Sequence, residues 1–348
     1  MPDLREIYQS TLTRCAPDVL VQQHVHEELP RNVVAIGKCA GPLLEGVASA
    51  MRIDHAFAAI PHGYPRPNVA AEVHVGGHPL MTPASFAAGR ALIDFVARHR
   101  DITFLISGGG SACVEKPRHP HTDDEVAAEN KRLVASGLSI GAINTRRREL
   151  SAIKGGRLRE LVRGRAVTLV YSDVSTGALA DVASGPTITS SDEAILIADN
   201  ATLVRTAASL IGDRAVVFER QIEGDVADAA ELLARTVDSL QPGQILVAGG
   251  EPTVVVRGKG RGGRCVELAV RFAAISPFAA LFGSSDGVDG NSGAAGVWLP
   301  RRERAGLPEN AAEALEASDS LRIATQIGEP IMITPTGNNL RDLFLVAR

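Results

Sequence analysis

Cations alternate with glycines from Arg257 to Arg264 (RGKGRGGR), shortly after an apolar run, Ile245–Ala248, and the turn Gly249-Gly250-Glu251. Glycine lets the main chain approach a ligand closely, and cations between glycines add charge where amide N–H groups already point. The run after Arg264, Cys265–Ala274, reads as a helix whose N-terminus would add partial positive charge at the same place. Gly258, Lys259, Gly260, Arg261, Gly262, Gly263 and Arg264 therefore read as an anion site suited to phosphate. Two other readings stay open. The stretch could be a solvated hairpin end. Gly258, Gly260 and Gly263 also satisfy G-x-G-x-x-G, with Asp286 downstream for a ribose contact, which would make the protein a nicotinamide-dependent reductase. A dinucleotide turn works through backbone amides and close helix packing, so three long cations fit it poorly.

Three further places have chemistry-bearing residues at the end of an apolar run. Ile102–Ile106 leads directly into Ser107, Gly108, Gly109, Gly110 and Ser111. Glycines and hydroxyls after a parallel strand form a nest of donors suited to phosphate oxygens, or else a turn built only for tight packing. No G-x-x-x-x-G-K-[ST] loop occurs in the chain. Asn32–Ile36 ends at Gly37-Lys38, where open α/β sheets bind ligands; the alternative is a surface lysine. Val167–Tyr171 ends at Ser172-Asp173, and a carboxylate there suits Mg²⁺, which takes one or two carboxylates and leaves the rest to water and phosphate, unless it caps a helix. Asp286 and Asp289 are spaced like oxygen ligands without completing an EF-hand; they bind Mg²⁺ or order their turn. His62 and His78 sit in loops, where they could face a cleft but read first as hydrogen-bonded bystanders.

The elements that position these residues alternate strand and helix. Helices are expected at 41–51, 83–99, 122–136, 140–154, 157–162, 201–211, 226–240 and 310–317. Strands are expected at 32–36, 56–60, 71–75, 102–106, 167–171, 215–218, 245–248, 253–256, 279–282, 331–333 and 344–347. Residues 1–29 read as a polar outer helix. The chain has 348 residues, 45% of them hydrophobic and 22% charged, which is long enough for two domains. A net charge of -4 argues against a nucleic-acid or anionic-membrane binder. Aromatic content of 4% leaves little for base stacking. No run is apolar for long enough to span a bilayer, and the opening residues lack the apolar centre of a signal peptide. The cysteines, Cys15, Cys39, Cys113 and Cys265, show no C-x-x-C pairing. A cytoplasmic monomer or homodimer is expected.

Taken together, the motifs resemble glycerate 2-kinase of the MOFRL type. They are GK at 37–38, SGGGSA at 107–112, N-x-x-R at 144–147, LSAIKGGRL at 150–158, SDV at 172–174 and ASGPT at 183–187. GGE at 249–251, RGKGRGGR at 257–264, SDGVDG at 285–290, AAG at 294–296, PTGNN at 335–339 and DL at 342–343 continue the series. The order is collinear over nearly the whole chain. The resemblance implies an α/β protein of two domains, a Rossmann-like parallel-sheet domain and a smaller α/β C-terminal domain, with the active site in the cleft between them. The domains are placed at 1–240 and 241–348. It implies transfer of the γ-phosphoryl of ATP, with Mg²⁺, to the 2-hydroxyl of D-glycerate or a hydroxyl of a related hydroxy acid. A larger polyol, sugar or cyclitol is the alternative acceptor. Members have often been labelled hydroxypyruvate reductases, so an NAD(P)H-dependent reductase and a non-catalytic binder of phosphorylated metabolites remain rival readings.

By motif, Lys38 and Arg264 are the catalytic pair. The Ser107–Ser111 and Gly258–Gly263 loops hold the triphosphate, Asp173 and Asp286 hold the metal, and Arg147, Lys154 and Asn338 reach the acceptor. The chain departs from the family pattern at Glu149, Thr176-Gly177, Cys265-Val266, Gly293 and Asn338, and it is shorter between Thr187 and Asn200. The missing segment after Thr187 and the changes at Cys265, Val266 and Gly177 are expected to open the acceptor pocket.

Overall fold

Short, almost wholly apolar strands between helices call for a parallel sheet covered on both faces, and the first half of the chain builds one. The computed structural model describes residues 3–175, 177–188 and 194–348. They divide into two compact units, Ala16–Asp199 and a second made from Met1–Cys15 with Asn200–Arg348.

The opening helix α1 (Leu4–Arg14) belongs to the second unit. It buries Leu4, Ile7, Tyr8 and Leu12, the spacing of one helical face, and Tyr8 Oη donates to the Ser284 carbonyl at 2.5 Å. It is therefore a packed helix and not the polar outer one expected.

The Ala16–Asp199 unit runs α2 (Pro17–Val21), β1 (Asn32–Ile36), α3 (Ala40–Ala50), β2 (His55–Pro61), β3 (Glu72–Gly76), α4 (Pro83–Arg98) and β4 (Ile102–Ser107). It continues with α5 (Gly110–Cys113), α6 (Asp123–Val134), α7 (Ile140–Leu150), α8 (Arg157–Glu160), β5 (Ala166–Tyr171) and β6 (Ala194–Ala198). The strand order is β3-β2-β1-β4-β5-β6, and every neighbouring pair is parallel. β4 is buried along its whole length. Phe57, Phe104 and Ile106 pack with Leu92 and Phe95 of α4 in the core. Thr122 and Glu125 close a capping box at the start of α6. Helix α7 stops at Leu150, four residues before the expected end. There the Ser151 hydroxyl accepts from Ile153 N and Lys154 N, offering those amides an alternative to helix. β6 lies where no strand was expected; residues 189–193 fall outside the described residues.

After Asn200 come α9 (Asn200–Ile211), β7 (Ala215–Val217), α10 (Val226–Asp238), β8 (Ile245–Gly250), α11 (Arg264–Ile275) and β9 (Ala279–Ser284). Then follow β10 (Gly296–Leu299), α12 (Ala311–Glu316), α13 (Ser320–Ile327), β11 (Glu329–Pro330) and β12 (Asp342–Ala347). The sheet order is β11-β10-β9-β12-β8-β7, with β12 antiparallel to both β8 and β9 and β7 parallel to β8. Phe272, Phe282 and Phe344 mark its core, with ring centroids 5.3 and 5.9 Å apart.

This corrects the expected boundary at 240. β7 is hydrogen-bonded to β8, and the Asn200 amide donates to the carbonyls of Leu340 and Asp342 at 2.7 and 3.0 Å. Residues 200–240 thus belong with the second sheet. Thr253–Val256 is not a strand either. It has only an isolated bridge from Thr253 to Asp225, and Val255 and Val256 are 68% and 75% exposed. Of 331–333, only Ile331 bonds to the sheet margin, at Gly296 and Ala295. Among the described residues no helix is long and apolar enough to cross a membrane.

Candidate functional site

Because β1, β4 and β5 are parallel, the loops after them share one edge of the first sheet. That edge brings together Lys38, the Ser107–Ser111 loop and Asp173. Gly37 has φ +112, and a side chain there would collide with Ser107 and Gly108, so the GK turn requires glycine. Lys38 N donates to the Gly108 carbonyl at 2.8 Å. The Ser107 hydroxyl accepts from Cys39 N and donates to the Ile36 carbonyl at 3.1 and 3.2 Å. Ser107, expected to bind phosphate, is therefore a fully buried strut between β1 and β4.

Lys38 passes its stem beside Gly109, and its ammonium lies 5.7 Å from the centroid of the Tyr64 ring, within cation–π range. Burial, then Lys38 and Arg147, pushes His78 down to about 4. Its imidazole is neutral at pH 7, close to two cations.

The arginines of α7 diverge, as consecutive helical residues must. Arg146 pairs with Glu129 and Glu149 at 3.0 and 2.7 Å, and Arg148 with Asp181 at 2.7 Å. Arg147 donates from Nε and Nη2 to Asn130 Oδ1 at 3.1 and 2.9 Å. Lys154, expected on the acceptor, is 1% exposed, and its ammonium is paired with Glu115. The Glu115 carboxylate also accepts from the Ser151 hydroxyl at 2.6 Å. Lys154 is thereby corrected to a buried structural cation.

In the second unit the glycine-rich loop has a different use from the one expected. Side chains at Gly258 and Gly260 would overlap Ala317 and Asp319, and at Gly262 and Gly263 they would overlap Ser320 and Asp289. None of these glycines has positive φ; they permit close approach of protein to protein. Four of the loop amides are also engaged. Gly258 N donates to Ser318 Oγ at 3.2 Å, Gly260 N to the Ala317 carbonyl at 3.0 Å, Arg261 N to Asp319 Oδ1 at 3.1 Å and Gly262 N to Asn291 Oδ1 at 2.8 Å.

The start of α11 is likewise occupied. Asp289, 1% exposed, accepts from Cys265 N and Val266 N at 3.1 and 2.8 Å, so the helix already has its anion. Burial, reinforced by Asp342, pushes the Asp289 carboxyl up to about 7 against those two bonds.

Arg264 donates from Nε and Nη2 to the fully buried Asp342 carboxylate at 2.6 and 2.8 Å. Its Nη1 lies 3.0 Å from Glu251 Oε1. Burial opposes the guanidinium charge, but its acidic neighbours, led by Asp342 and including Glu251, together raise the pKa. The other oxygen of Glu251 accepts from Arg341 Nε at 3.0 Å, and Arg341 also pairs with Glu223 at 2.9 Å. Glu251 so couples two arginines. Glu251, Arg341 and Asp342 were absent from the expected site, although GGE and the DL pair carried two of them. Arg341 holds φ +65, unusual for a non-glycine residue.

Val254, Val255, Val256, Lys259, Arg264 and Arg341 help line a cavity of about 750 Å³, a size that suits a cofactor or small ligand. Glu223, Glu251, Glu267 and Asp289 also line it, so the charge is mixed and not simply cationic.

Three remaining expectations change. Asp286 Oδ1 accepts from Ser284 Oγ and Val288 N at 2.8 and 2.9 Å, which orders its turn. Asn338 is 2% exposed and donates to the Leu12 carbonyl at 3.1 Å, a tie to α1 and not a pocket contact. Cys265 and Val266 point into the core of the second sheet, so they are not walls of an opened pocket. Among the described residues no group of three or more His, Cys, Asp and Glu side chains is placed to hold a metal.

Comparison with known proteins adds the following. The profile of a domain of unknown function, DUF4147, matches residues 3–211, and that of the MOFRL family matches residues 244–342. A glycerate 2-kinase of Pyrococcus horikoshii is 27% identical, with 90% of this chain and 86% of that protein covered. A protein of Agrobacterium vitis that carries a hydroxypyruvate reductase name is 29% identical, with 98% and 92% covered. The crystal structure of a glycerate kinase from Thermotoga maritima superposes with a TM-score of 0.87 at 26% identity, covering 98% of this chain and 97% of that one.

Proposed function

The chain belongs to the DUF4147 family and carries a MOFRL domain, and from that premise we propose that it is an ATP-dependent kinase of a small hydroxy acid, with the 2-hydroxyl of D-glycerate as leading acceptor. The observation that carries the reading is the similarity to the Thermotoga maritima glycerate kinase over almost the full length of both chains. The reductase reading loses its footing in the glycine-rich loop. Gly258, Gly260 and Gly263 pack against Ala317, Asp319 and Asp289, and the amides of Gly258 and Gly260 are donated to Ser318 Oγ and the Ala317 carbonyl instead of being left for a pyrophosphate.

The residues present fit a nucleotide and a single metal ion. Val254–Val256 offer an apolar wall and Lys259, Arg264 and Arg341 offer cations within one cavity. Asp173, at the carboxyl end of β5, is the carboxylate proposed for Mg²⁺, an ion content with one or two such ligands. Asp286 is spent on its turn and is not proposed. ATP would supply the transferable phosphoryl group, and Mg²⁺ would offset its charge.

Phosphoryl transfer asks a protein mainly for positioning and charge. Lys38 provides a compact cation at the sheet edge, beside the backbone of Gly108–Ser111, for developing charge on a phosphoryl oxygen. Arg264 provides a permanent cation whose orientation is set by Asp342 and Glu251. Arg147, held by Asn130, is the basic side chain proposed for the acceptor's carboxylate. The same reading expects a cytoplasmic monomer or homodimer. ADP release measured over D-glycerate, other hydroxy acids, polyols and cyclitols tests it. Tight NADPH binding with turnover of hydroxypyruvate and no ADP release would reject it.

A further inference from the structure

Ala183, Ser184 and Gly185 are three consecutive residues with left-handed φ of 52, 62 and 62. Such a conformation is sparsely populated outside glycine and persists where the surroundings over-determine it, often at functional sites. Here it presses Ala183 against Gly110, where no Cβ would fit, and sets the buried Ser184 hydroxyl 2.7 Å from the hydroxyl of Ser111. Arg148 braces the turn, donating to the carbonyls of Ala180 and Ser184 at 2.7 and 3.3 Å.

The direction of every proton in this chain of bonds follows from its far end. A carbonyl oxygen only accepts. Asn144 Nδ2 donates to the Asp181 carbonyl at 3.1 Å, which turns Oδ1 of the same amide toward Ser184. Ser184 Oγ, 2.9 Å from that oxygen, must donate to it. With its one proton spent, Ser184 Oγ accepts from Ser111. The single proton of Ser111 is then spent as well. Among the described residues Ser111 Oγ has no other partner, and the side chain is partly exposed on the edge that carries Lys38. It presents lone pairs alone.

A hydroxyl in that state cannot donate to a phosphate oxygen, so Ser111 Oγ is not part of a phosphate nest. It suits a ligand that brings a proton. Resting on the kinase reading, we propose that Ser111 Oγ receives a hydrogen bond from a hydroxyl of the acceptor substrate, selecting an alcohol over the corresponding ketone. Ser184 and Asn144 act through Ser111 as positioning residues.

The test is calorimetric titration with D-glycerate, hydroxypyruvate and ATP, with ADP release followed separately. The wild type should bind D-glycerate more tightly than hydroxypyruvate by roughly two- to tenfold, the worth of one neutral hydrogen bond. Ser111→Ala should lose that factor for D-glycerate and leave hydroxypyruvate and ATP affinities unchanged. Ser184→Gly, which suits φ +62 and so should fold, releases the Ser111 proton; hydroxypyruvate should then gain and the preference collapse. An unchanged preference in Ser111→Ala, or a loss of ATP affinity in that variant, overturns the proposal. A wild type that shows the preference, and loses it in both variants, yet releases no ADP with any acceptor would sink the kinase reading and leave the role of Ser111 standing.

Discussion

Replacing Arg264 by Met keeps most of the stem volume and removes the cation from the fully buried Asp342 carboxylate. Removing one partner of a buried ion pair costs about 3–5 kcal/mol, because the remaining charge is desolvated without compensation. At roughly 2–4 °C per kcal/mol for a domain of this size, the fall in Tm should be on the order of 10 °C. The loss should depend on pH in a definite sense. Burial already holds the Asp342 carboxyl above its ordinary value, and Arg264 is the main group opposing that shift. Without Arg264 the folded pKa rises further. Below the ordinary carboxylate range both folded and unfolded forms are protonated and nothing is lost; as pH rises toward the folded pKa, the folded form must retain a proton or bury a charge, and stability falls. Urea unfolding at pH 5 and pH 8 should show the larger deficit at pH 8. Adding Asp342→Asn should return most of the stability at both. A deficit below about 1 kcal/mol, one equal at the two pH values, or a double variant no better than the single would refute the argument. If Arg264 also stabilises the transferring phosphoryl, the refolded double variant should still lose ~10³ in kcat.

Lys38→Met should depress kcat by at least ~10² while raising the pKa of His78 from about 4. NMR titration of the His78 ring reads the second effect, and an unmoved pKa would separate the two residues. His78 itself, with its pKa lowered from 6.5, should cost the fold stability as pH falls from 6.5 to 4, and His78→Asn should flatten that slope in denaturant unfolding. Asp289, raised from 3.8 to about 7, has the opposite sense, so its cost to the fold grows as pH rises through that window. Asp289→Asn should therefore weaken the α11 cap by about 1 kcal/mol at low pH and abolish this part of the pH dependence. Gly260→Ala should lower Tm by several degrees without a specific effect on ATP affinity, because the added methyl meets Asp319 and not a ligand. A selective loss of ATP binding would restore the loop to the phosphate site.

The first sheet was legible because each of its central strands is a short apolar run that ends at a glycine or polar turn: Asn32–Ile36 before Gly37, Ile102–Ile106 before Ser107, Val167–Tyr171 before Ser172. β10 was not, since GVWL is only four residues long; β6, AILIA, is an apolar run as long as β1 and was passed over. The candidate site was half legible. Residue types and spacing located Lys38 and the loop after β4, but glycine looks the same whether it admits a phosphate or a neighbouring loop. Only the structure shows Gly258–Gly263 taking the second course. Cations posed a similar problem: that Arg264 and Lys154 would meet Asp342 and Glu115 depends on pairings 78 and 39 residues away. The boundary near 240 failed for the same reason, because β7 carries no local mark of the sheet it will join.

α1 leaves the ribosome before the whole Ala16–Asp199 unit, yet the groups that receive Leu4, Tyr8 and Leu12 are made only after residue 200. β12 emerges after β7–β11 and inserts in the middle of their sheet, between β8 and β9. During synthesis the parallel-sheet unit can complete itself early, whereas the second sheet waits as two unjoined halves with unpaired inner edges. The nascent chain thus holds the apolar face of an amphipathic helix and two open strand edges in trust until its late residues arrive.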